Sequence, residues 1–151
     1  MYNLSKGQIG WLAGIIDGEG SISIHRMNEK ETIGGIRHRL DLSIVNTNKD
    51  MILLIQSWFG GSFWIKNKKD TNPNHKTCYR WRIEGLRSVP IIKMVYPYLV
   101  IKKSQATIAL EFSKTLRSIF SDTRNPITND VLDKRQNLHV QIKSINQMSR
   151  G

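Results

Sequence analysis

A single cysteine, Cys78, leaves the chain without an internal disulfide, and one Cys beside four His supplies none of the paired spacings of a zinc finger. No apolar run approaches the ~18 residues that a membrane span requires. The first residues lack the basic-then-apolar order of a secretory leader, so the expectation is an intracellular protein, in cytoplasm, nucleoid or an organelle matrix. Acidic residues are also scarce: 12 Asp+Glu stand against 23 Lys+Arg in 151 residues, a formal net charge of +11. Hydrophobic residues make up 39% and charged residues 23%, the balance of a folded protein rather than a disordered polycation. A packed surface must therefore carry the excess, and the partner it implies is a polyanion, nucleic acid ahead of an anionic membrane. The length suits one domain over 1–151 with a core of its own.

Ser5-Lys6-Gly7-Gln8 fits a capping box, and the apolar run Ile9 to Ile16 behind it predicts a helix ending near Gly18, where glycine can take a left-handed C-cap. From Ser21 the period changes to two. Ile22 and Ile24 alternate with Ser21, Ser23, His25 and Met27; after a loop over 28–36, Leu40, Leu42 and Ile44 alternate with Arg37, Arg39, Asp41 and Ser43. This is a β-hairpin. Thr47-Asn48-Lys49-Asp50 opens a second helix, closed by Gly60-Gly61. A second hairpin follows, with Phe63 and Ile65 alternating with Ser62, Trp64, Lys66 and Lys68, and Tyr79, Trp81 and Ile83 alternating with Arg80 and Arg82. The pattern leaves open whether Phe63 or Trp64 is the buried aromatic. Helices are expected around Val89–Tyr96, Lys103–Ile119 and Asn129–Gln147, the last with a stripe of Val131, Leu138, Ile142 and Ile145 that should pack on the helical layer. The order is αββαββα in an α+β fold, with a core of about 5–120 and a C-terminal helical extension over about 121–151.

Leu12-Ala13-Gly14-Ile15-Ile16-Asp17-Gly18-Glu19-Gly20 resembles the nonapeptide that names the LAGLIDADG homing endonucleases. The αββαββα order, Asn46-Thr47-Asn48-Lys49 before the second helix and Phe59-Gly60-Gly61 after it are similar to that family as well. The resemblance implies an antiparallel, saddle-shaped sheet that lies on DNA. It implies that Glu19, in the place of the motif's usual Asp, binds a divalent ion with help from the Gly18 backbone carbonyl. Mg²⁺ is the expected ion, with Mn²⁺ or Ca²⁺ able to substitute for binding; carboxylate, phosphate and water suit it. Asn48 would order water near the scissile phosphate. Lys102 would stabilise phosphate charge, with Lys103 one residue away as the alternative. Some relatives carry an Arg shortly after the polar position, where this chain has Met51 and Ile52.

Gly10 and Gly14 fall on one helical face with Ala13 beside them, a strip nearly free of side-chain bulk. Such a face can pack on its own sheet or on a second backbone; the resemblance favours a helix-to-helix dimer seam of Gly10, Trp11, Ala13, Gly14 and Asp17. Asp17, in the last helical turn, also reads as a cap or hydrogen-bonding residue. One motif provides one Glu19, and cleavage of two strands asks for a carboxylate from each of two subunits. A homodimer implies a pseudo-palindromic target. By parity the groove-facing residues are Ser21, Ser23, His25, Arg37, Arg39, Asp41, Ser43, Trp64, Lys66, Lys68, Arg80 and Arg82, an excess of one sign suited to base edges and phosphates. The resulting expectation is an intron-encoded, metal-dependent, site-specific DNA endonuclease. An RNA-splicing maturase or a silent DNA-binding regulator on the same scaffold are the alternatives. Lys134, Arg135 and Lys143 of the last helix are further candidates for backbone contact.

Overall fold

The structure, a computed structural model, describes residues 2–31, 33–66, 72–116 and 127–149. Helix α1 (Lys6–Glu19) opens on the expected capping box: Ser5 Oγ accepts from the Gln8 N–H and Gln8 Oε1 accepts from the Ser5 N–H. It ends near Gly18, as expected, but without a left-handed cap. The helix runs through Glu19 and passes straight into strand β1 (Gly20–Asn28), with Gly20 in an extended conformation at φ −88°. Glycine is required at this junction for proximity, since a Cβ on Gly20 would lie 2.8 Å from the Ile16 Cα and carbonyl oxygen.

β2 (Ile36–Asn46) returns antiparallel to β1 and leads into α2 (Lys49–Phe59). The turn Gly60-Gly61, both at positive φ, carries the chain into β3 (Ser62–Ile65). Trp81 Nε1 donates to the Gly60 carbonyl at 2.6 Å, so the second hairpin is tied to the end of α2. β4 (Tyr79–Glu84) pairs with β3 and β2, giving one antiparallel sheet in the order β1-β2-β4-β3. Three further helices follow: α3 (Val89–Val95), α4 (Lys103–Ser113) and α5 (Asn129–Met148). The expected run of α4 to Ile119 gives way to turns at 114–116; positions 117–119, like Lys68 in the second hairpin, lie outside the described residues.

The helices cover one face of the sheet. Ile22, Ile24, Leu40, Leu42, Ile44, Trp81 and Ile83 meet Leu12, Ala13 and Ile16 of α1, Ile52 and Ile55 of α2, Val95 of α3 and Phe112 of α4. Each Leu or Ile so buried contributes roughly 1.5–3 kcal/mol. Phe63 joins this side, stacked on Tyr79 at 6.0 Å, which turns Trp64 to the other face. The period-two reading of both hairpins therefore holds.

α5 packs along β1, an edge strand, with Leu138 and Ile142 completing the core. His139 Nδ1 lies 2.6 Å from the Ile24 carbonyl and Asn146 Nδ2 donates to the Ile22 carbonyl at 3.0 Å. These side chains satisfy acceptors of a strand that has a β partner on one side only. Arg135, expected as a DNA contact, is buried here, its guanidinium donating to Thr115 and lying over Phe112. Among the described residues no helix is long and apolar enough to cross a membrane.

Candidate active site

Glu19 is the last residue of α1 and is solvent-exposed. Its carboxylate and the last-turn carbonyls, Gly18 among them, sit at the negative end of the helix dipole, a place that favours a cation. Two residues earlier, Asp17 is differently employed. Its two carboxylate oxygens accept from the backbone N–H groups of Val100 and Lys102, each at 2.8 Å. Burial alone would raise its pKa, but the N–H groups of Val100, Lys102 and Ile101 and the Lys102 charge outweigh it and hold the carboxyl below the usual Asp value. Asp17 thus caps the loop before α4, in keeping with the hydrogen-bonding role expected of its place in the last helical turn.

Lys102 completes the contact from the other direction, its Nζ donating to the Asp17 carbonyl at 2.7 Å. The lysine is fixed at the last turn of α1, close to the helix end that carries Glu19. Lys103, the alternative, turns away, with its Nζ over the Tyr96 ring at 5.1 Å. Asn48 caps α2, its Oδ1 accepting from the Met51 N–H at 3.0 Å, and stands exposed beyond β2. Because Gly20 pairs with Ile44, the end of β2 that leads to Asn48 lies beside the end of α1. Its Nδ2 group has no protein acceptor among the described residues. Of Met51 and Ile52, which follow Asn48 in this chain, Ile52 is fully buried in the core.

Along the outer side of α1, a Cβ built on Gly10, Gly14 or Gly18 meets nothing within 4 Å. The three recur every fourth residue and form an open stripe flanked by Trp11, which is 39% exposed and packs edge-on against Trp58. Ala13, assigned to this seam, is fully buried in the chain's own core. Its place on the stripe belongs to Gly18.

The face of the sheet away from the helices carries the outward residues. The register sets Ser21 across from Ser43, Ser23 from Asp41, His25 from Arg39, Ser43 from Arg82 and Trp64 from Arg80. Ser21 and Ser23 share a 3.1 Å contact, and the guanidinium groups of Arg80 and Arg82 lie over the Trp64 ring at 5.7 and 5.1 Å. Lys66 follows the end of β3 and Arg37 pairs with Glu29 at 3.4 Å. The basic excess stands, but acidic side chains sit among the basic ones. Asp41 is only 5% exposed and Ser43 8%, so neither stands out as a reader of bases. The Asp41 carboxylate lies 3.3 Å from His25 Nε2 and 3.5 Å from Arg82 Nε. Arg82 also pairs with Glu84 at 2.7 Å, and Glu84 with Arg39 at 3.6 Å. Acidic side chains at mid-sheet hold the basic ones in place. Glu84 was legible by parity, two residues beyond Arg82, whereas His139 and Asn146 touch β1 across more than a hundred residues and left no local signal.

Among the described residues no three His, Cys, Asp or Glu side chains form a metal cage. One chain offers the Glu19 carboxylate and the Gly18 carbonyl, a hard-oxygen pair that suits an ion completing its sphere with water and phosphate. The sequence model of the LAGLIDADG endonuclease family matches residues 12–114, and the chain belongs to that family. A comparison with curated protein sequences finds no match. Among solved structures, the homing endonuclease I-CvuI, in complex with the I-CreI target in the presence of 2 mM Mg and with DNA not cleaved, aligns with a TM-score of 0.77 and 21% identity, covering 93% of this chain and 82% of that one. The archaeal intron-encoded homing endonuclease I-Vdi141I, complexed with DNA, aligns at 0.72 and 19%, covering 92% and 84%. The meganuclease I-SmaMI, bound to uncleaveable DNA, aligns at 0.68 and 17% over 87% of this chain and 43% of its own.

Proposed function

We propose that two copies of this chain form a homodimeric, divalent-metal-dependent DNA endonuclease that breaks both strands of a long, pseudo-palindromic target. The observation that carries this reading is the end of α1: one exposed Glu19 at the foot of an open glycine stripe, with Asp17, the other carboxylate of that turn, committed to the Val100 and Lys102 N–H groups. That is half of a two-carboxylate site. A two-fold axis along the stripe would bring Glu19 of a second copy to the same place. The lengths agree, since the chain spans most of I-CvuI and I-Vdi141I but less than half of I-SmaMI. Solved relatives hold target DNA in the presence of Mg or Ca, which supports a divalent ion, and we assign Mg²⁺ to this chain.

Glu19 and the Gly18 carbonyl would hold the ion. When bound, it supplies Lewis-acid stabilisation of the charge that develops on the scissile phosphate. Lys102, held against the Asp17 carbonyl, presents its ammonium to the phosphate and the attacking water. The free Nδ2 of Asn48 orients water at the entrance. The water oxygen attacks phosphorus in line and the P–O3′ bond breaks. The attacking water gives up a proton to solvent and the leaving 3′ oxygen takes one from solvent, leaving a 5′-phosphate and a 3′-hydroxyl.

The sheet would enter the major groove, with Ser21, Ser23, His25, Arg37, Arg39, Trp64, Lys66, Arg80 and Arg82 facing DNA and Asp41 orienting its neighbours. Two copies carry twice the +11 charge, so binding should weaken steeply with salt. The test is selection of cleaved sites from a random-sequence duplex library with Mg²⁺. A pseudo-palindromic consensus supports the reading. An asymmetric consensus removes the symmetric dimer, and no cleaved product removes the nuclease in favour of nucleic-acid binding alone.

A further inference from the structure

We infer that Asp17 is a positioning residue that sets Lys102 against the end of α1, so that the catalytic carboxylate and the catalytic lysine form one rigid unit. The inference rests on the roles proposed above for Glu19 and Lys102. Lys102 is the N-cap of α4 and provides no side-chain cap hydrogen bond of its own. Its entry loop is instead held by a residue more than eighty positions earlier. Both oxygens of Asp17 are used, one on the Val100 N–H and one on the Lys102 N–H, and Lys102 Nζ returns to the Asp17 carbonyl. Three hydrogen bonds therefore join Asp17 to Val100 and Lys102 and fix backbone and side chain together. Charge-assisted bonds of this kind are the stronger ones.

A core-packing role alone does not explain this arrangement. Val100 and Ile101, between the clamped N–H groups, are 83% and 68% exposed, so the loop is not anchored by burial of its own side chains. Leu99 before it is buried and Lys102 after it is clamped. Without the carboxylate the Lys102 backbone is free to turn, and its Nζ then has no fixed distance from Glu19, which lies at the next but one residue of α1. Asparagine at position 17 is nearly the same size but offers one acceptor oxygen where two are needed, and its NH₂ would face an N–H donor.

The experiment is a double-mutant cycle of Asp17→Asn and Lys102→Met, read by single-turnover cleavage of a selected target with Mg²⁺. Asp17→Asn should slow cleavage about 10- to 100-fold, the scale of a misplaced catalytic group, with target binding kept. In the Lys102→Met background the same change should cost little further, because the group it positions is gone. Full multiplication of the two losses, or no loss from Lys102→Met, would overturn the inference. Asp17→Ser is run beside Asp17→Asn, and thermal unfolding identifies any variant that does not fold. A second readout needs no DNA: amide hydrogen exchange at Val100 and Lys102 should accelerate in Asp17→Asn and much less in Lys102→Met. Unchanged exchange in Asp17→Asn refutes the clamp. A wild-type protein that cleaves nothing refutes the endonuclease reading instead, and the exchange result still decides the clamp.

Discussion

The glycine stripe of α1 makes opposite predictions for an isolated chain and for a pair. A Cβ at Gly10 or Gly14 meets nothing within 4 Å of this chain, so replacement by Ala incurs no steric cost within it. Glycine in a helix interior is about 0.8–1.0 kcal/mol worse than alanine, so Gly10→Ala with Gly14→Ala should stabilise a lone chain by roughly 2 kcal/mol. If two helices meet backbone to backbone there, each new methyl group is forced into the seam. Overpacking costs about 1–3 kcal/mol per site, and the two-fold axis doubles it, so a single substitution should cost the dimer roughly 2–6 kcal/mol. At 1.4 kcal/mol per decade this is about 30- to 20,000-fold in dissociation constant. Sedimentation velocity over a concentration series measures the association, and thermal unfolding under dissociating dilution measures the chain. The expected pattern is a variant that melts higher as a monomer, associates far more weakly and loses double-strand cleavage. Unchanged association together with higher stability would refute the seam.

Two further perturbations act elsewhere. Asp41→Asn removes a negative charge from the DNA face and also the partner of His25 and Arg82. Binding to random duplex should tighten while preference for the selected target falls about tenfold per side chain released; competition titration at fixed salt reads both, and preserved preference would show that Asp41 orients nothing. His38 is 5% exposed, with Nε2 on Gln136 and a buried Nδ1 that lacks a partner. Burial depresses its pKa; the Gln136 bond works the other way, and nearby His139, Arg135 and Arg26 add to the depression. The unfolded chain therefore takes up the proton first: this contribution is complete above the ordinary histidine value and is lost as pH falls toward the folded one. His38→Gln should flatten the rise of stability with pH below about 6.5, by at most about 1.4 kcal/mol per pH unit, and an unaltered slope would count against it.

Much of this was readable because the chemistry is local. The capping box, the two period-two hairpins and the nonapeptide each occupy a short window, and all appear where the pattern put them. The helix end near Gly18 was legible to within a residue, but the left-handed cap expected there does not form. The helix instead continues to Glu19, and the glycine that matters is Gly20, required by its contact with Ile16. Parity showed which side Asp41 takes but not its depth, since depth depends on His25 and Arg82 closing over it from neighbouring strands. Ala13 failed for a related reason: at one residue's remove from Gly14 it has turned onto the core side of α1. The Asp17 clamp and the α5 cover joined parts of the chain too far apart for any pattern to pair them.

The central claim is that Glu19 is half of a divalent-metal site that cleaves DNA. Its most direct test is single-turnover cleavage of a selected target by wild type and Glu19→Gln, in Mg²⁺ and in chelator, with target binding measured in parallel. Glu19→Gln should bind the target and cleave neither strand, and wild type should cleave both strands only with Mg²⁺. Cleavage by Glu19→Gln at the wild-type rate, or wild-type cleavage undiminished by chelator, would contradict the assignment.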